Sequence, residues 1–251
     1  MGATGMKIAH VINVFLDIDR ETWVLNPEWI QQRVSIFERF TLASLRNQTD
    51  RDFTILVYRG NRFRDRVGFH DFGPDVISSY DYGKEFFPTL DADLVAITRV
   101  DSDDLLHKDA MAELKANVQS RPDPLTRIWR KGYTWDRNNR VISPYQAISG
   151  PFFTHVFPID TVKNWKLFHS RHFVVHGQAG GRNPLTIELP ENRICVVKHE
   201  QNISRIRRNL PLEIRPHEFY SGNQFILDSD VINSILVDFG MEGEIASCQS
   251  R

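Results

Sequence analysis

Several things are scarce in this chain, and each scarcity narrows what it can be. Only two of the 251 residues are cysteine, Cys195 and Cys248. Two are too few for a disulfide framework and too isolated for a zinc site, which favours a reducing compartment. Neither sign of charge is in excess, since 31 Lys and Arg face 32 Asp and Glu for a formal net charge of -1. A general nucleic-acid binder carries a basic surplus, so nucleic acid is not an expected partner. No apolar run approaches the length of a membrane span, and the N-terminus lacks the basic-then-apolar layout of a signal peptide. Repeats and low-complexity tracts are also missing. The expectation is a cytoplasmic protein with at most peripheral contact on the inner membrane face.

What is present is ordinary for a soluble globular chain: 41% hydrophobic and 25% charged residues, with enough length for a sizeable core. Residues 1–5 read as a flexible leader, 6–204 as one domain, and 205–251 as an extension packed on it. That extension holds a basic cluster, Arg205, Arg207, Arg208 and Arg215, and a helical cap predicted over Phe219 to Phe239.

The most informative stretch is Leu94 to Asp104, LVAITRVDSDD. A strand-forming apolar run ends abruptly on Asp101, Asp103 and Asp104. In an open α/β sheet ligands bind at the carboxyl ends of strands, so these acids would stand at the mouth of a cleft. Strand alternation would put Asp101 and Asp103 on one side, where oxygen ligands suit Mg²⁺ or Mn²⁺. The plainer alternative is a solvated turn whose aspartates cap a helix beginning near Leu105.

Around this stretch the pattern alternates. Lys7 to Phe15 predicts a first, central strand; Trp29 to Arg46, after Pro27, has the apolar spacing of a helix. Strands are predicted at Phe53 to Tyr58 and Val76 to Tyr80, one or two helical turns within Lys84 to Leu90, and a helix over His107 to Gln119 stopped by Pro122 and Pro124. Arg127 to Arg140 reads as a hairpin with aromatic faces and a turn at Asp136 to Asn139. Asp160 to His169 suits a helix, His169, His172 and His176 follow closely, and Arg193 to Lys198 forms a strand ending on His199. The alternation argues for an α/β fold with a mainly parallel central sheet flanked by helices and a C-terminal helical extension. A second D-x-D, Asp17 and Asp19, follows the first strand and invites comparison with a phosphatase nucleophile loop. Glu21 stands where that loop needs Thr or Val, and Thr22 comes one step late.

Taken together, these residues resemble the metal-dependent glycosyltransferases of the nucleotide-diphospho-sugar type, with the GT-A fold. More narrowly they resemble a bacterial rhamnosyltransferase family. The likeness is carried by Arg33 with Phe37 and Glu38, the turn Ser44 to Asp50 before Phe53, Thr98 to Asp104, Pro151 to Phe153, and Val197 to Ser204. It implies a glycosyltransferase that moves a sugar from a nucleotide-diphosphate donor to a hydroxyl of a glycan, a lipid-linked glycan or a protein. Residues 6–204 would be the catalytic domain. Asp103 would be the main ligand of Mn²⁺ or Mg²⁺, Asp101 would contact the ribose or the metal's water, Asp104 would support them, and His199 would complete the metal shell. Asn13, Arg33, Lys84, Arg99 and Asp101 would hold the donor. Two departures stand out. The Glu-Asp pair that supplies the general base in relatives is missing, leaving His172 and His176, with Asp160 and Glu188 further off. Arg59 and Gly60 also stand where many relatives place a base-reading aspartate. The rival readings are a phosphohydrolase using Asp17 or Asp19 and a non-catalytic nucleotide-sugar or carbohydrate-binding module.

Overall fold

Ile8–Phe15 (β1) is the middle of a sheet because it is apolar on both faces and pairs in parallel with two equally apolar neighbours, Thr54–Tyr58 (β2) and Leu94–Asp101 (β4). The computed structural model describes residues 5–16, 27–59, 70–81, 83–147, 151–164, 186–199, 218–219, 228–242 and 244. Val76–Ser79 (β3) extends the sheet in parallel beside β2. On the other side Phe153–Pro158 (β9) runs antiparallel to β4, followed by Thr126–Ile128 (β6) and Thr186–Glu188 (β10). Among the described residues this sheet has seven strands in the order β10-β6-β9-β4-β1-β2-β3. The fold is α/β, with a mostly parallel central sheet between helices.

The strand period divides the core. Ile12, Val14, Ile55, Val57, Ala96 and Val100 point one way, against Pro27–Phe37 (α1) and Ala110–Ser120 (α3). Val11, Leu56, Val95 and Ile97 point the other way, onto Phe87 of a short 3-10 turn and Ile159 and Val162 of Ile159–Lys163 (α4). The predicted Trp29–Arg46 helix is one helical rod with an irregularity. After α1, Glu38–Leu42 winds as a π-turn before Ala43–Arg46 (α2) closes it. Such bulges rotate the residues beyond them and recur at functional sites.

A second sheet corrects the predicted Arg127–Arg140 hairpin. Arg127 belongs to β6 in the main sheet, and the chain changes sheets before Lys131–Asp136 (β7), which pairs with Val141–Ala147 (β8). Ile194–Lys198 (β11) joins β7 in parallel and meets Leu105–Leu106 (β5) antiparallel. Gly132 is required there, because a Cβ would lie 2.2 Å from the Ile194 carbonyl oxygen. Glu218–Phe219 (β12) forms the far edge beside β8. Among the described residues the predicted cap over Phe219–Phe239 is a strand at its start and a helix over Ser229–Asp238 (α5), N-capped by the Asp228 carboxylate. Ile232, Leu236 and Phe239 pack α5 on Phe40, Trp135 and Val197. No described helix is long and apolar enough to cross a membrane.

His10 on β1 is 8% exposed, and its Nδ1 has no hydrogen-bond partner among the described residues. Burial, helped by the charge of Lys115 and opposed by Asp52 and Asp50, lowers its pKa to about 4. The unfolded chain, with an ordinary pKa near 6.5, therefore takes up a proton that the folded protein refuses between those values. This contribution is complete above pH 6.5 and is lost as pH falls toward 4, amounting to about 3 kcal/mol. Urea unfolding between pH 4.5 and 8 should show a shallower acid limb for His10→Leu than for the wild type. Parallel limbs would exclude His10 as the cause.

Candidate functional site

The acidic stretch is built by the end of β4 and held from two sides. The strand stops at Asp101, and a turn follows in which the Asp104 N–H donates to the Asp101 carbonyl at 3.2 Å. Asp101 and Asp103 therefore do not share a side, correcting the expectation from strand alternation. Asp101 accepts from Arg99 at 3.1 Å on one face of the sheet. Asp103 is bonded instead by Arg33 of α1, at 3.2 Å, and by His199 just beyond β11, also at 3.2 Å.

This three-residue cluster is nearly dry: side-chain exposure is 6% for Arg33, 15% for Asp103 and 4% for His199. Burial works against ionising Asp103, but the charge of Arg33 and the hydrogen bonds from His199 and Arg33 outweigh it and hold the carboxyl at about 2. Arg33 also donates to the Ser102 hydroxyl, tying α1 to the turn itself. Asp104 has a different role. Its carboxyl accepts from the Val197 N–H at 3.1 Å, fastening β11 two residues before His199. Burial, reinforced by the charges of Asp103 and Asp101, raises its pKa well above the ordinary range. It caps no helix, because β5 rather than a helix follows it.

The helical rod and the turn after it clamp the acidic turn through Thr41, which the sequence reading did not single out, and through Ser44 and Gln48, which it quoted only within the Ser44 to Asp50 turn. The Thr41 hydroxyl, in the π-turn, donates to the Asp101 carbonyl at 3.2 Å. Ser44 accepts from the Leu106 N–H at 3.3 Å. The Gln48 amide donates to the His107 carbonyl at 2.9 Å and accepts from the Met111 N–H at 3.1 Å. The signal was in plain sight: polar residues spaced along the buried side of an amphipathic helix need partners from another element.

Beside Asp101 the sheet face is polar and aromatic. Cross-strand pairing aligns Asn13 with Arg99 and Phe15 with Asp101, and Arg99 also pairs with Phe153. The Arg99 guanidinium carbon lies 5.8 Å from the Phe15 ring centroid and 6.0 Å from that of Phe153. Asn13 is 4% exposed, and its carbonyl oxygen has no partner among the described residues.

Arg33, Asp103 and His199 are thus brought together, and Asn13, Arg99 and Asp101 lie side by side. Lys84 is exposed in the turns after β3, next to Gly83, where a Cβ would lie against Leu56 of β2. Others are not brought in. Glu188 closes β10, three strands away on the opposite flank. Asp160 does not belong to the site. Because β9 runs antiparallel to β4, the chain leaves it beside Leu94, at the other end of a strand about 23 Å long. Arg59 packs its guanidinium over Phe72 and donates to the His70 carbonyl at 3.2 Å, a structural task. Asp17, Asp19, His172 and His176 lie outside the described residues.

Among the described residues no three His, Cys, Asp or Glu side chains converge as a closed metal cage. A cation at this place would find only Asp103 and His199 as protein ligands, and they are bonded to each other at 3.2 Å. Mg²⁺ and Mn²⁺ accept one or two protein groups and leave the remaining positions to water and phosphate oxygens.

Comparison with known proteins bears on the first part of this assembly. Residues 10–68, from β1 past α1 and β2, match the family described as "Putative rhamnosyl transferase". The matched segment contains Asn13, Arg33, Thr41, Ser44 and Gln48, and stops before Asp101, Asp103 and His199. A comparison with curated proteins found no match. Among solved structures the chain is similar to S. aureus TarS, with 12% identity and a TM-score of 0.37 over 93% of this chain. It spans only 43% of that protein. Over its first quarter the chain resembles the rhamnosyl transferase family, and that segment supplies the helix that holds Asp103.

Proposed function

We propose that the protein is a glycosyltransferase that moves a sugar from a nucleotide-diphosphate donor to an acceptor hydroxyl. The observation that carries this reading is Asp103, kept charged between Arg33 and His199 at the carboxyl edge of a mostly parallel sheet. A buried carboxylate with a pKa of about 2 is ready to hold a cation, and the leaving group of such a transfer is a nucleoside diphosphate that gains a negative charge as its bond to the sugar breaks. Asp103 and His199 would hold Mn²⁺ or Mg²⁺, which when bound would offset charge developing on the diphosphate.

The remaining roles belong to the chain itself. Arg33 fixes the orientation of Asp103 and balances part of its charge. Arg99, placed between Phe15 and Phe153, offers a cation whose direction is set by two rings and by Asp101. Asn13 offers a buried acceptor to a donor hydroxyl or base N–H. The family likeness favours rhamnose as the sugar, and the acceptor would be a glycan, a lipid-linked glycan or a protein, met in the cytoplasm or at the inner membrane face. His172 and His176 are the candidates for the base that deprotonates it.

A panel of nucleotide sugars with and without Mn²⁺ tests the reading by thermal unfolding. At a hundredfold excess over Kd the true donor should stabilise the protein by about 2.7 kcal/mol, which for a chain of this size raises Tm by about 5–10 °C. Donor turnover to free nucleoside diphosphate should then depend on the cation. A shift without turnover would identify a binding module instead, and no shift with any donor would remove the proposal.

A further inference from the structure

Glu244 lies far along the chain from the acidic turn, yet its contacts converge on the support of His199. Its carboxylate pairs with Arg39, whose Nη2 donates at 2.6 Å, and with Arg137, whose Nε donates at 3.2 Å. Arg39 comes from the π-turn and Arg137 from the turn after β7, so one carboxylate joins the helical rod to the second sheet. Both guanidinium groups lie against the same ring. The Arg39 carbon is 5.6 Å and the Arg137 carbon 5.8 Å from the centroid of Phe40.

Phe40 in turn stacks on the His199 imidazole, with centroids 6.4 Å apart and planes inclined by 22°. The edge of Trp135 closes on Phe40 at 5.9 Å. A second link runs through the backbone, where the Arg137 N–H donates to the carbonyl of Lys198, the residue before His199, at 3.2 Å. Glu244 therefore bears on His199 by two routes, through a ring and through a peptide group.

Arg39 and Arg137 are 42% and 31% exposed, so water weakens their side of the ion pairs, while the Glu244 carboxylate they share is 10% exposed. Holding a tail in place is a poor reason for two arginines to share one carboxylate against one ring. Fixing the plane of an imidazole that must meet Asp103 is a better one, since groups behind a ligand set its orientation and its affinity. We infer that Glu244 is a positioning residue for His199, acting through Arg39, Arg137 and Phe40 to set the angle at which the imidazole meets Asp103 and a bound cation. The part concerning the cation rests on the function proposed above; the part concerning the imidazole does not.

The test uses the full chain and two readouts. The first is the imidazole nitrogen and carbon-bound proton resonances of His199 at fixed pH without metal, assigned with His199→Gln. The second is the dissociation constant of Mn²⁺ alone by calorimetry. Glu244→Ala should displace the His199 resonances and weaken Mn²⁺ about tenfold. Glu244→Asp should restore part of both. Arg137→Gln, which cuts the bridge from the other side, should displace the same resonances and keeps the test open if Glu244→Ala fails to fold. Unmoved His199 resonances in folded variants of both residues would overturn the inference, whatever happens to Tm. A wild-type protein that binds no Mn²⁺ would defeat the metal reading, and the resonances would still decide the role of Glu244.

Discussion

Asp103→Asn is expected to lower donor turnover by about a thousandfold, because it removes the one carboxylate that Arg33 and His199 both address. Asparagine keeps the volume and one acceptor oxygen, so Arg33 retains a partner while the anionic oxygen proposed to hold a cation is lost. Asp103→Ala should add a stability loss of about 3 kcal/mol, since it leaves the guanidinium of Arg33 buried without its carboxylate. The two variants separate chemistry from folding. Release of nucleoside diphosphate measures the first, and urea unfolding the second. An Asp103→Asn protein that keeps more than about a tenth of wild-type turnover would show that catalysis does not run through this carboxylate.

Arg127 should give the largest stability effect outside the site. It is fully buried, 0% exposed, and fastens the loop that leads from α3 into β6. Its Nε donates to Asn117 at 3.2 Å, Nη1 to the Asp123 carbonyl at 3.1 Å and the Leu125 carbonyl at 2.9 Å, and Nη2 to the Arg121 carbonyl. Arg127→Met keeps most of the stem and removes every donor, so about 3 kcal/mol should be lost by orphaning these acceptors. Arg127→Ala should lose more, because a cavity is added. A midpoint shift in urea equivalent to less than about 1 kcal/mol for either variant would contradict this assignment.

Arg127 also shows where reading residues in order reaches its limit. Its neighbours Trp129, Tyr133 and Trp135 alternate as one hairpin would, but the chain leaves one sheet after Ile128 and enters another at Lys131. Alternation reports which side of a strand a residue occupies, and carries nothing about which sheet the strand joins. Asp160 shows the same limit differently. Its strand is visible in the sequence, but the antiparallel direction of β9 is not, and that direction moves Asp160 to the far end of the sheet.

The apolar runs of β1, β2, β4 and β11 and the amphipathic span beginning at Pro27 were determined by local sequence, because periodicity and burial suffice to specify a strand or helix. So was the acidic end of β4, and the arrival of His199 at the end of its own strand. Tertiary structure alone decided which carboxylate those elements serve. Asp101 turned toward Arg99 and Asp103 toward Arg33 and His199, while Asp104 became a backbone fastener. The reason is distance along the chain. Asp103 meets partners 70 and 96 residues away, and Arg39 meets Glu244 across 205. Contacts at such separations are fixed by how strands order and cross, and no local pattern encodes that.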